Sequence, residues 1–156
     1  MKAIICTKSG SPEVLTLVEL ERPIPKQNEV LVKVIASSVT IGDVKLRKIP
    51  RFILVPLGLL FGFKSMKITG VEFAGVVESV GSDVSRFNKG DQVYGTTTGL
   101  EYGGNAEYVC VPESSKKSVL VKKPENISFI NAAVIPVGGM TALHILRKIN
   151  IQKGHR

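Results

Sequence analysis

One place where the sequence could meet a ligand is the pair Gly138-Gly139. Apolar Met140, Leu143, Ile145, Leu146 and Ile149 predict a helix over 137–149, which puts both glycines at its start. Glycine there permits close approach of a ligand or another backbone, and the first-turn N–H groups favour polar or anionic groups. A second candidate is the apolar run at 52–63, FILVPLGLLFGF, broken by Pro56, Gly58 and Gly62 and too short to span a bilayer. It reads either as a loop or short helix lining an apolar pocket, or as a core or partner-facing segment. Metal chemistry finds little support. Cys6 and Cys110 sit in separate apolar strand-like segments, outside any Cys-x-x-Cys pair and away from His at zinc-ligand spacing. His144 lies on the expected helix and His155 in the tail, and neither is expected to be catalytic. The sequence also lacks G-x-G-x-x-G, the turn that lets backbone N–H groups approach a dinucleotide pyrophosphate.

The elements that must hold these residues are mostly strands. Alternation and β-branched residues predict strands at 2–7, 14–19 and 29–36, with turn chemistry at Ser9-Gly10-Ser11-Pro12 and Arg22-Pro23-Ile24-Pro25. A long apolar run at 69–80 contains Gly70, Ala74 and Gly75, as in a bent or closely approached barrel wall. Short strands at 91–94, 106–111 and 119–122 follow, which suits an all-β barrel or sandwich better than alternating βαβ units. After Pro124 the pattern turns helical: Ser128 is a candidate N-cap, Pro136 interrupts the first helix, and the second follows.

The chain has 156 residues, enough for one compact domain with a hydrophobic core, and 44% of them are hydrophobic. Twenty-one Lys and Arg against 13 Asp and Glu give a net charge of +8. The basic residues are scattered, without a long run or interleaved aromatics, so they read as a solvated surface and nucleic acid is not the expected partner. The apolar start is too short for a signal peptide, so the cytoplasm is the expected location and the Asn126-Ile127-Ser128 sequon a chance match.

Three further motifs carry a family resemblance. They are Gly70-Val71-Glu72-Phe73-Ala74-Gly75-Val76-Val77-Glu78-Ser79-Val80-Gly81, Phe87-x-x-Gly90-Asp91-x-Val93-x-Gly95, and Gly103-Gly104-x-Ala106-Glu107-Tyr108. With Ala132-Ala133-x-x-Pro136-x-Gly138-Gly139-x-Thr141-Ala142 and Lys153-Gly154, they closely resemble medium-chain dehydrogenases/reductases, in the family's motif order. Thr40-Ile41-Gly42-Asp43-Val44-Lys45-Leu46-Arg47 is similar to the Asn-Pro-x-Asp-x-x-x-Arg loop of quinone-oxidoreductase-like members, with Thr40 in place of Asn. The resemblance implies a mainly β fold with a few helices: a GroES-like, partly open β-barrel at 1–125, then a helical segment at 126–156 leading to a Rossmann domain that is absent here.

It also implies a chemistry. In zinc-dependent relatives the Thr40 position is Cys and the Val71 position is His; a hydroxyl and an isopropyl group cannot replace a thiolate and an imidazole, so no metal is expected. The implied activity is NADP- or NAD-linked reduction of a small hydrophobic quinone, enone or other carbonyl, or the matching alcohol oxidation, with little activity and no tightly bound cofactor in this chain alone. The implied site comprises Thr40, Asp43 and Glu72 as catalytic candidates, Thr40, Gly138 and Thr141 toward the cofactor, and Phe52, Leu57, Leu60 and Phe61 toward the substrate. Thr40 could bond substrate or nicotinamide ribose, or act as a local cap. Asp43 is expected chiefly to hold its loop, and Glu72 to be a buried acid or a core carboxylate paired to a base. Lys45 stands where relatives often carry Tyr. Dimerisation through an uncovered helix, and a non-enzymatic GroES-like interaction module, are the alternatives kept in view.

Overall fold

The computed structural model describes residues 1–50, 52–53, 56, 60, 68–98 and 103–149. Strands β1 (Lys2–Cys6) and β2 (Leu15–Glu19) form an antiparallel ribbon closed by a single 3-10 turn at Pro12–Val14. Five more strands form one antiparallel sheet: β3 (Glu29–Ser37), β4 (Glu72–Val80), β5 (Gln92–Thr96), β6 (Tyr108–Pro112) and β7 (Val119–Lys122), in the order β6-β3-β4-β5-β7. The expected strands are all present, within a few residues of the predicted ends.

The sheet curls because its central pair is irregular and closely packed. β3 and β4 slip register between Leu31 and Val32 and again between Val34 and Ala36, and such bulges add twist. Opposite Val34, a Cβ on Gly75 would collide with the neighbouring Lys33 carbonyl oxygen, so glycine is what lets the backbones meet. The curl encloses a core of Val30, Val32, Phe73, Val77, Phe87, Val93, Val109, Val111 and Leu120. Complete burial of a Val or Phe side chain contributes about 1.5–3 kcal/mol, so this cluster is what holds the half-barrel closed. The result is a mainly β, GroES-like, partly open barrel.

Three of the helices among the described residues position the site. α1 (Ile41–Lys48) follows β3 without a signal in the sequence pattern, because its mixed Val, Gly and Lys composition shows no apolar stripe and none of its residues is buried. α2 (Phe129–Ala133) starts at the expected Ser128 cap, whose hydroxyl accepts the Asn131 N–H at 3.2 Å, and packs Ala132 and Ala133 against Ala74. α3 (Pro136–Lys148) begins at the proline expected to interrupt the preceding helix, since Pro at the first helical position forfeits an N–H that would lack an intrahelical partner anyway. Among the described residues, no helix is long and apolar enough to cross a membrane.

Candidate functional site

The site is built where the ends of β3 and β4, the start of α1 and the start of α3 converge. Thr40 is the N-cap of α1. Its hydroxyl accepts from the backbone N–H of Gly42 at 3.1 Å and of Asp43 at 3.4 Å, and donates to Asp43 Oδ2 at 2.9 Å. One donor and two lone pairs are thereby all engaged. Asp43 Oδ2 also takes the Thr40 N–H at 2.9 Å, completing a capping box. Its other oxygen takes the N–H of Gly70 at 3.0 Å.

Gly70 is held from every side. Its φ of +99° belongs to glycine, and a Cβ there would strike the Asn105 backbone and side chain. Its carbonyl accepts the Thr97 hydroxyl at 2.7 Å and the Gly104 N–H at 2.7 Å. The motif glycines 70 and 104 thus form one joint, which Asp43 fastens to α1. At the far end of α1, Arg47 Nη1 donates to the Gly10 carbonyl, and the Ser9 hydroxyl donates to the Ile49 carbonyl at 2.7 Å. Thr40 and Val71 flank Gly42, offering a hydroxyl and a methyl where a metal would need stronger donors. Among the described residues no group of three or more His, Cys, Asp or Glu is arranged to hold a metal ion.

Glu72 is buried, only 2% exposed. The sequence allows an acid or a carboxylate paired to a base; its partners are instead a hydroxyl and a helix terminus. Oε2 accepts the Ser38 hydroxyl at 2.5 Å and Oε1 accepts the Val137 N–H at 2.6 Å. The sequence suggests external anions at the start of α3, but the chain has placed its own carboxylate there. Gly138 lies beyond it, with nothing within 4 Å of the point a Cβ would occupy, and Thr141 is exposed with its hydroxyl donating to the Val137 carbonyl at 2.7 Å. Gly138 and Thr141 therefore share an open surface.

Of the expected apolar pocket, Phe52 and Leu60 are 78% and 77% exposed. Leu57 and Phe61 lie outside the described residues. A groove of about 620 Å³ opens elsewhere, between the β1–β2 ribbon and the β3–α1 corner, lined by Ile4, Leu15, Leu17, Ile35, Val39 and Val44. Strand alternation puts Leu15 and Leu17 on one face, but only the fold shows what they face. Ser38 also escapes sequence reasoning, because a loop serine carries no signal until its carboxylate partner is known. Lys45 and His144 are exposed. The Cys110 thiol is pushed up to about 12 by burial and then by the Glu29 charge, so it is not a nucleophile at neutral pH.

Comparison with known proteins agrees with this architecture. Residues 26–125 match the alcohol dehydrogenase GroES-like domain family. The quinone oxidoreductase of Sus scrofa is 34% identical over 161 residues, an alignment covering 99% of this chain and 43% of that protein. The quinone oxidoreductase from Coxiella burnetii superposes with a TM-score of 0.81 at 34% identity, over 99% of this chain and 46% of that one. The Escherichia coli quinone oxidoreductase complexed with NADPH gives 0.76 at 30% identity, over 96% and 41%. The chain thus spans roughly two fifths of the curated relatives it matches, 39%, 43% and 39% for three of them. With its barrel, its Asp43-fastened glycine joint and a match across its central hundred residues, the chain belongs to the alcohol dehydrogenase GroES-like domain family, alongside quinone oxidoreductases.

Proposed function

We propose that the chain is the N-terminal catalytic-domain portion of a zinc-independent, NADP- or NAD-linked oxidoreductase acting on a hydrophobic quinone, enone or related carbonyl in the cytoplasm. Residues 1–125 form the GroES-like unit, and 126–156 lead toward a nucleotide-binding domain that supplies the other wall of the cleft. The observation that carries this reading is the open Gly138–Thr141 face, seated by Glu72 beside the Thr40 loop. It fits the nicotinamide end of a dinucleotide. No atom crowds Gly138, and the Thr141 hydroxyl, having spent its proton on Val137, keeps lone pairs to accept from a carboxamide N–H.

The cofactor supplies the hydride; these residues supply placement. Asp43 and Thr40 fix the α1 corner that walls the substrate, and Thr40 reaches a substrate oxygen by exchanging one of its cap bonds. Phe52 and Leu60 contribute apolar surface for a conjugated acceptor, which spreads incoming charge and so depends less on a Lewis acid. The chain alone, lacking a Gly-rich phosphate turn, has little turnover. Steady-state assay with NADPH and a benzoquinone is the test: negligible oxidation by this chain, and oxidation by a polypeptide of its relatives' length, are expected. Turnover by this chain alone overturns the incomplete-cleft reading.

A second reading, a non-enzymatic GroES-like interaction module, draws on the exposure of Met140, Leu143, Ile145, Leu146 and Ile149 along α3. It predicts a protein partner, or a homodimer, seated on that helix with no cofactor dependence.

A further inference from the structure

Among the described residues, α3 buries only its first residue, Pro136. Pro136 is buried, whereas Val137, Met140, Leu143, Ile145 and Leu146 are all more than a third exposed. Its N-cap residue, Ile135, has no side-chain oxygen to offer, and Pro136 has no N–H, so Val137 carries the first N–H that needs an external acceptor. Glu72 provides it from β4, a strand 65 residues away in sequence. The carboxylate is oriented by the Ser38 hydroxyl, two residues before the Thr40 cap, and the Ser38 N–H returns to the Glu72 carbonyl at 3.4 Å. A buried carboxylate is tolerated here because two strong hydrogen bonds and the positive pole of a helix meet it. From Val137 the connection continues, because its carbonyl accepts the Thr141 hydroxyl proton.

We propose that Glu72 is a positioning residue: through Ser38 on one side and Val137 on the other, it sets α3, and with it Gly138 and the Thr141 hydroxyl, against the Thr40 loop. This deepens the reading above and rests on it for the identity of the ligand, a nicotinamide group; the link itself does not. Glu72 acts through α3 and needs no contact with substrate. The Ser38–Glu72–Val137 bridge couples the substrate corner to the cofactor face, so loosening either end moves the Thr141 hydroxyl.

Amide exchange followed by NMR on this chain separates the two claims. In Glu72→Gln and Ser38→Ala, the Val137 and Gly138 amides should exchange about tenfold faster, as for loss of a helix cap, while Val77 and Val93 in the sheet keep their protection. Ser38→Thr, which retains a hydroxyl, should restore the slow exchange. Unchanged Val137 exchange in both Glu72→Gln and Ser38→Ala would overturn the proposal. Reduced nicotinamide mononucleotide is the ligand probe. Its addition should shift the Gly138 and Thr141 amides in the parent chain, less so in Glu72→Gln. No shift in the parent chain defeats the cofactor reading, while the exchange rates still decide the role of Glu72. Equal shifts in parent and Glu72→Gln defeat the positioning claim.

Discussion

Asp43 Oδ1 accepts the Gly70 N–H at 3.0 Å, so the cap of α1 and the left-handed glycine before β4 are one mechanical unit. The same carboxylate takes the Thr40 N–H and hydroxyl on its second oxygen. The sequence distance between the two residues is bridged by this polar bond, which helps hold in place a helix with no buried residue.

Replacing Asp43 tests this unit. Asp43→Ala removes the capping box and leaves the Gly70 N–H unpaired, and should cost about 2–3 kcal/mol in urea unfolding. Asp43→Asn keeps one acceptor and should cost about 1 kcal/mol. Equal, negligible losses would show that α1 is held by something else.

The two glycines 75 and 90 should respond differently to alanine. At Gly75 the added methyl meets the Lys33 carbonyl, a backbone atom locked in the central ladder, so Gly75→Ala should destabilise by about 2–4 kcal/mol. At Gly90, φ is +94° but nothing lies within 4 Å, so only backbone strain remains, about 1–2 kcal/mol. Paired urea melts decide between crowding and strain as the reason for each glycine.

These contrasts show what the sequence could disclose. Alternation in Val30-Leu31-Val32-Lys33-Val34 announces a strand, and Ser128 announces a helix start, because both signals are local. Gly75 reads as a close approach, though the group approached, the Lys33 carbonyl next to its register partner Val34, appears only with the fold. Glu72 misleads for the same reason: its chemistry depends on Val137, 65 residues on, and no spacing rule links a strand carboxylate to a distant helix N-terminus. The groove beside Leu17 is hidden likewise, since it exists only once the ribbon faces the β3–α1 corner.

Stability should fall at both ends of the pH range, for separate reasons. The Asp91 carboxyl is held below its ordinary value of 3.8, first by the Asn88 N–H and then by Lys122. Its contribution is complete above that value and is lost as acid protonates the folded carboxylate. The Cys110 thiol is held up, from 9.0 to about 12. Between those values the unfolded chain releases a proton that the folded chain retains, so alkali favours unfolding. Asp91→Asn should flatten the acid limb of a melting-temperature profile and Cys110→Ala the alkaline limb, each leaving the other unchanged.

Association should be governed by α3. Met140, Ile145, Leu146 and Ile149 are each about half exposed, and the side chains recur around most of the helix circumference, so no single neighbouring face can cover them. Arg147 and Lys148 add charge at its end without breaking the apolar surface. Apolar area of this kind drives contact between copies when no other wall covers it. Sedimentation velocity should therefore show concentration-dependent self-association of this chain. The double substitution Ile145→Glu and Ile149→Lys should shift it to monomer with little change in melting temperature, because both side chains are more than half exposed. A monomer at all concentrations for the parent chain would mean that the apolar surface of α3 does not drive self-association.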